Sequence, residues 1–109
     1  MEKISRTQLN HELNRKRREI DLIDRKLLTL LNDRLRVALK VGGIKKKMGE
    51  KIYNPEREKE VLRRLGLKNR GPLEEQDLEK IFGTIMRVSR RSQIKQGGRK
   101  HSRNPSLLR

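Results

Sequence analysis

This sequence predicts an all-α chain of three helices, long, short and medium, that completes its packing as an intertwined helical dimer. Three observations carry the expectation. Apolar residues recur at steps of three and four in three separate stretches, the period of an amphipathic helix. The stretches are unequal, so the second and third cannot cover both ends of the first. The chain is also poor in core material. Of its 109 residues, 31% are hydrophobic and 40% charged, and only Tyr53 and Phe82 are aromatic. Such a composition does not readily build a self-sufficient core, and one domain or a small intertwined unit is the expected scale.

The elements follow in order. Residues 1–10 are polar and expected to be flexible, residues 11–96 to form the helical domain, and residues 97–109 to be a basic tail without order. The first helix is expected from His11 to Lys47, about 54 Å long at ~1.5 Å per residue. Its seam follows Leu13, Arg17, Ile20, Asp24, Leu27, Leu31, Arg34, Ala38, Val41 and Lys45. Gly42-Gly43 weakens it by roughly 1 kcal/mol per glycine relative to alanine; it either admits a close neighbour or ends the helix early. "MGEKIYNPEREKEVL" then reads as a loop and a new helix. Asn54 suits the N-cap, Pro55 the first turn, and Glu56 and Glu58 the positive end of the helix dipole. That helix carries Val61, Leu62 and Leu65 and fades near Asn69. "RGP" at 70–72 breaks it. A third helix is expected from Leu73 to Ile94, with Leu78, Phe82, Ile85, Ser89 and then Ser92 or Gln93 on one stripe. A second copy, pairing long helices across a two-fold axis, is the simplest cover for the first seam.

The formal charge is +16. It predicts attraction to anions without choosing among nucleic acid, a membrane surface or small metabolites. The last fifteen residues hold five Lys/Arg and no acid, so the remainder still carries +11. There is no cysteine, which excludes disulfides and thiolate metal sites. His11 and His101 lie near opposite ends and form no metal-ligand pattern; no metal or cofactor is expected. No apolar run approaches the ~18 residues of a membrane span, and "MEKISRTQLN" lacks the apolar core of a signal peptide. A cytoplasmic protein without membrane attachment is expected.

Polar residues interrupt every apolar stripe. Arg17, Asp24, Arg34 and Lys45 lie on the first, Arg57 and Glu58 one turn before Val61 and Leu62 on the second, and Ser89 and Gln93 on the third. Buried cations need partners. Glu58, Ser89 and Gln93 do not supply enough acid for Arg17, Arg34, Lys45 and Arg57, so the surplus predicts an anionic ligand with more than one carboxylate or phosphate. Arg34 and Lys45 are separated by three turns plus about 20°, and so point the same way about 16 Å apart. Arg17 is about 26 Å from Arg34 along the same helix, too far to share a small ligand unless a partner chain delivers it. Each residue also has a plainer reading. A lone arginine on a stripe is commonly a snorkelling or ion-paired group, and a lone serine a small packing residue. Asp24 is expected to answer a nearby cation, and the runs Arg15-Lys16-Arg17-Arg18, Lys45-Lys46-Lys47 and Arg90-Arg91 are expected to be mostly solvated faces.

The segments "RREIDLIDRKLLTLLNDRLRVALKVGGIKK", "IYNPEREKEVLRRL" and "IFGTIMRVSRRSQ" resemble the all-helical AroQ class of chorismate mutase, over residues 13–94 and in the same order. The resemblance implies an intertwined dimer of three-helix chains with two sites. It also implies an isomerase converting chorismate to prephenate in the shikimate pathway of aromatic amino acid biosynthesis. By the same resemblance, Arg34 and the partner chain's Arg17 clamp the two carboxylates of chorismate, for which guanidinium geometry is suited. Lys45 and Gln93 donate to the ether oxygen of the breaking bond. Glu58 accepts from the ring hydroxyl, Ser89 meets the ring carboxylate, and Arg57 supports the site. Asn54 stands where some members carry an acid; it retains hydrogen-bonding capacity toward a hydroxyl and also suits the helix cap.

Three rivals stand beside this reading. A lyase on the same scaffold would convert isochorismate to salicylate and pyruvate; the combination of Glu58, Ser89 and Gln93 favours the mutase. A basic helical nucleic-acid-binding protein would account for the charge, but no recognised binding motif is present and stacking surface is nearly absent. That leaves only weak, salt-sensitive contact through the tail. A regulatory or degenerate mutase-like domain is the third. A chain of this length is expected to leave no room for a fused dehydratase or dehydrogenase.

Overall fold

The computed structural model describes residues 3–98. These form three helices and no strand: α1 (Arg6–Met48), α2 (Pro55–Lys68) and α3 (Glu75–Gly98). They group into two compact units divided after Leu35. The first holds the N-terminal part of α1; the second holds the rest of α1 together with α2 and α3. Among the described residues, no helix is long and apolar enough to cross a membrane.

α1 starts at Arg6, five residues before the expected His11. The reason is a reciprocal cap: the Gln8 amide donates to Ser5 Oγ at 3.1 Å, and the Ser5 amide donates to Gln8 Oε1 at 2.9 Å. Two otherwise orphaned N–H groups are thereby satisfied. In the first unit the seam residues Leu13, Ile20 and Leu27 are each 46–55% exposed, and Arg17 and Asp24 are exposed with them. The expectation that Arg17 is buried therefore fails within one chain, because nothing in the unit covers this seam.

In the second unit α1 continues through Gly42-Gly43 to Met48. Gly42 is buried, so of the two readings of this dipeptide, close approach is the one realised. The helix stops at Gly49, whose φ of 71° is costly for a residue with a Cβ. The Glu50 amide donates to the Lys45 carbonyl at 2.8 Å, and the Gly49 amide to the Lys46 carbonyl at 3.1 Å, the double bond of a Schellman ending.

α2 begins as expected. Asn54 Oδ1 accepts from the Arg57 amide at 3.0 Å, and Pro55 occupies the first turn, where its missing N–H costs nothing. Asn69 closes it: its amide donates to the Gly66 carbonyl, its side chain donates to the Leu73 carbonyl at 2.7 Å, and its Oδ1 accepts from the Gly71 amide at 2.9 Å. Leu73 falls in this connector, and α3 starts two residues later than expected. α3 runs through Gly97 and Gly98, so the boundary of the expected tail moves past them; residues 99–109 lie outside the described residues. The core lies along α3, where Leu78 and Met86 are 4% and 5% exposed and Ser89 and Gln93 continue the line at 8% each.

Candidate active site

Six of the eight residues singled out in the sequence belong to the second unit: Lys45, Asn54, Arg57, Glu58, Ser89 and Gln93. Ala38, Gly42 and Lys45 follow one another at helical spacing along one face of α1, as Met86, Ser89 and Gln93 do along α3. Gln93 joins the two faces. Its Nε2 donates to the Ala38 carbonyl at 2.7 Å, and a Cβ placed on Gly42 would meet its Cγ at 3.0 Å. One turn on, Gln96 Nε2 donates to the Leu39 carbonyl at 3.0 Å. Two glutamine amides thus bridge from α3 to the backbone of α1, and the glycine removes the side chain that would hold them away.

An amide nitrogen carries two N–H groups. One of Gln93's is committed to Ala38, which leaves the second as a donor for another acceptor. Lys45 is arranged alike. Its Nζ donates to the Ile52 carbonyl at 2.9 Å, tying down the loop after α1, and the ammonium keeps two further donors. Ser89 is buried, and its Oγ donates to the Ile85 carbonyl within its own helix at 3.0 Å.

Two sequence readings are corrected, the surplus of Arg57 on α2 and the solvation of Arg90 on α3. Arg57 has an acid partner: its Nη1 lies 2.7 Å from Glu60 Oε1, one turn along, and Arg64 shares that carboxylate at 3.2 Å. The tally of surplus cations omits Glu60. Glu58 answers a cation as expected, but one on α3. Both of its oxygens accept from Arg90 Nη1, at 2.8 and 2.7 Å. Arg90 is therefore not a solvated residue; its guanidinium carbon also sits 4.5 Å from the centroid of the Tyr53 ring. Asn54 serves as the α2 cap. Arg34 and Arg17 belong to the first unit, Arg34 half-buried and Arg17 exposed.

The site is thus a set of fixed donors, Lys45 and Gln93, with one held acceptor, Glu58, and a buried hydroxyl at Ser89. Among the described residues no three His, Cys, Asp or Glu side chains gather as a metal site. Such an arrangement can orient an anion and stabilise charge that develops on an oxygen.

Comparison with known proteins points to the same chemistry. The family description "Chorismate mutase type II" matches residues 16–94. Two solved forms of the chorismate mutase from Thermus thermophilus are similar in structure. Form II superposes with a TM-score of 0.77 at 30% identity, covering 78% of this chain and 97% of that one. Form I gives 0.70 at 32% identity, covering 72% and 98%. The bifunctional chorismate mutase/prephenate dehydratase of Aquifex aeolicus is 44% identical over 54 residues, half of this chain and 15% of that protein. Its counterpart from Neisseria gonorrhoeae is 40% identical over 70 residues, 64% of this chain and 19% of that protein. The chain spans about a fifth or less of these bifunctional relatives. The extent of the family match and the two superpositions establish that this chain belongs to the type II chorismate mutase family.

Proposed function

We propose that the chain catalyses the intramolecular [3,3] rearrangement of chorismate to prephenate. The observation that carries this reading is the Gln93 amide: buried, neutral, anchored by one N–H on Ala38 and free to donate the other. The reaction breaks the ether C–O bond and forms a C–C bond within one molecule. It needs no nucleophile and no proton transfer, only a folded conformer and stabilisation of negative charge on the ether oxygen. Gln93 and Lys45 supply that stabilisation as fixed donors, which act strongly where water is excluded. Glu58 accepts from the ring hydroxyl. Ser89 meets the ring carboxylate by rotating its hydroxyl away from Ile85. Arg34 pairs with one substrate carboxylate and Arg17 of a second copy with the other, while Arg57 supports the α2 end. Asn54 contributes the cap that places Arg57 and Glu58.

The exposed seam of α1 supports the dimer that this scheme requires. Leu13, Ile20 and Leu27 form an exposed apolar seam, broken by Arg17 and Asp24, that a second copy would cover, and that pairing would bring Arg17 in trans. The test is to incubate the protein with chorismate and follow its loss together with prephenate formation, with isochorismate supplied in parallel. Prephenate from chorismate is expected; salicylate and pyruvate from isochorismate as the sole products would assign the lyase reaction instead.

A further inference from the structure

We infer that Arg90 is a positioning residue for this reaction: it fixes Glu58 and offsets its charge, so that the carboxylate can accept the ring hydroxyl without repelling a dianionic substrate. The inference rests on the mutase reading. Arg90 Nη1 lies 2.8 and 2.7 Å from the two Glu58 oxygens, joining α3 to α2 across 32 positions of sequence. The two side chains are 25% and 23% exposed, against 40–60% for the Arg57–Glu60 and Arg64–Glu60 pairs within α2. Exposed pairs of the latter kind contribute little, whereas a half-buried pair between two helices is screened less.

The geometry suits the task. A single nitrogen stands between both oxygens, so each retains lone-pair capacity for a further donor. The guanidinium is steadied by the Tyr53 ring, with its carbon 4.5 Å from the centroid. Tyr53 in turn follows Ile52, whose carbonyl is held by Lys45. The acceptor Glu58 and the donor Lys45 are thereby referenced to the same loop. A bare carboxylate at this position would oppose the approach of two substrate carboxylates, and the guanidinium cancels that opposition. A lysine would keep the charge but lose the planar contact with the ring.

The experiment is a double-mutant cycle measured in kcat and KM for chorismate: wild type, Arg90→Ala, Glu58→Gln and the pair. Arg90→Ala is expected to lower kcat/KM about tenfold, the scale of a lost charge-assisted hydrogen bond, chiefly through KM. In the Glu58→Gln background the same change is expected to cost less than about threefold, because no charge remains to offset. Arg90→Lys should recover part of the KM. Equal losses in both backgrounds assign Arg90 to packing alone and overturn the inference, as does an Arg90→Ala variant that matches wild type. Should Arg90→Ala not fold, Arg90→Gln and Arg90→Lys carry the same cycle. Wild-type protein that leaves chorismate unchanged overturns the mutase reading and this role with it; turnover that is insensitive to Arg90 overturns this role alone.

Discussion

A Cβ built on Gly42 would stand 3.0 Å from Cγ and 3.2 Å from Cβ of Gln93. The glycine therefore gives the Gln93 side chain its room beside α1, where a Cβ would be tighter than an ordinary contact. Its neighbour Gly43 has nothing within 4 Å of the equivalent position. Gly42→Ala should displace the Gln93 side chain by a few tenths of an ångström and lower kcat/KM by up to about tenfold, less than the ~10²-fold cost of a misplacement of about 1 Å. Gly43→Ala should leave turnover intact and add up to about 1 kcal/mol of stability from helix propensity. Steady-state kinetics and thermal melts on the same preparations check both; a fully active Gly42→Ala would detach Gln93 from catalysis.

Gln93→Glu should move activity toward acid pH. Only the protonated carboxyl can donate, whether to the Ala38 carbonyl or to a substrate oxygen. A site 8% exposed beside a carbonyl disfavours the charged form. Activity should thus be greatest at low pH and fall as pH rises through the pKa of the new carboxyl. The measurement is kcat/KM against pH; a flat, fully active profile at neutral pH refutes the donor role.

Removing Lys45 or Arg34 should be severe. Lys45→Ala deletes the proposed donor to the ether oxygen and also releases the Ile52 carbonyl. Arg34→Ala deletes the proposed partner of a substrate carboxylate. Each should lower kcat/KM by about 10²–10³-fold, the scale of a removed oxyanion donor. Turnover near that of wild type in either variant removes that residue from the proposed machinery.

Asn54 separates a structural role from a chemical one. Asn54→Ala should cost about 1 kcal/mol by leaving the Arg57 amide without its cap. Asn54→Asp keeps the acceptor and adds a charge that the helix N-terminus favours, so its stability should equal or exceed that of wild type. Denaturant melts test the first pair of statements. A change of more than about tenfold in kcat/KM for Asn54→Asp, larger than an exposed cap should give, would show that position 54 meets the substrate.

Most of the fold is legible in the sequence because its signals are local. The seam of α1, the Asn54-Pro55 start of α2 and the Leu78–Ser89 line of α3 are all patterns within a few turns. The early start of α1 is legible too, in the spacing of Ser5 and Gln8, but the polar composition of the segment masks it. The site divides by the same criterion. Lys45, Ser89 and Gln93 announce themselves as polar breaks in apolar stripes. Arg90 does not, because its partner Glu58 lies 32 residues away and its neighbour Arg91 is equally basic. Helical spacing sets Arg91 nearly opposite the buried stripe and Arg90 on its flank, four residues after Met86 and three before Gln93, but it does not reveal which acid Arg90 reaches. Arg57 fails for a different reason: its partner Glu60 is only one turn away, and a charge tally over whole helices does not resolve pairs.

The segment between α1 and α2 has a fixed length because one residue measures it. Lys45 accepts the Glu50 amide with its main-chain carbonyl and holds the Ile52 carbonyl with its side chain, so the intervening residues are cinched at two points. An inserted residue between Gly49 and Ile52 would unhook the same ammonium that is proposed to face the substrate. Drift in this lineage should therefore enter the connector as substitution at exposed Glu50 and Lys51, and length change should be confined to places that no functional side chain spans.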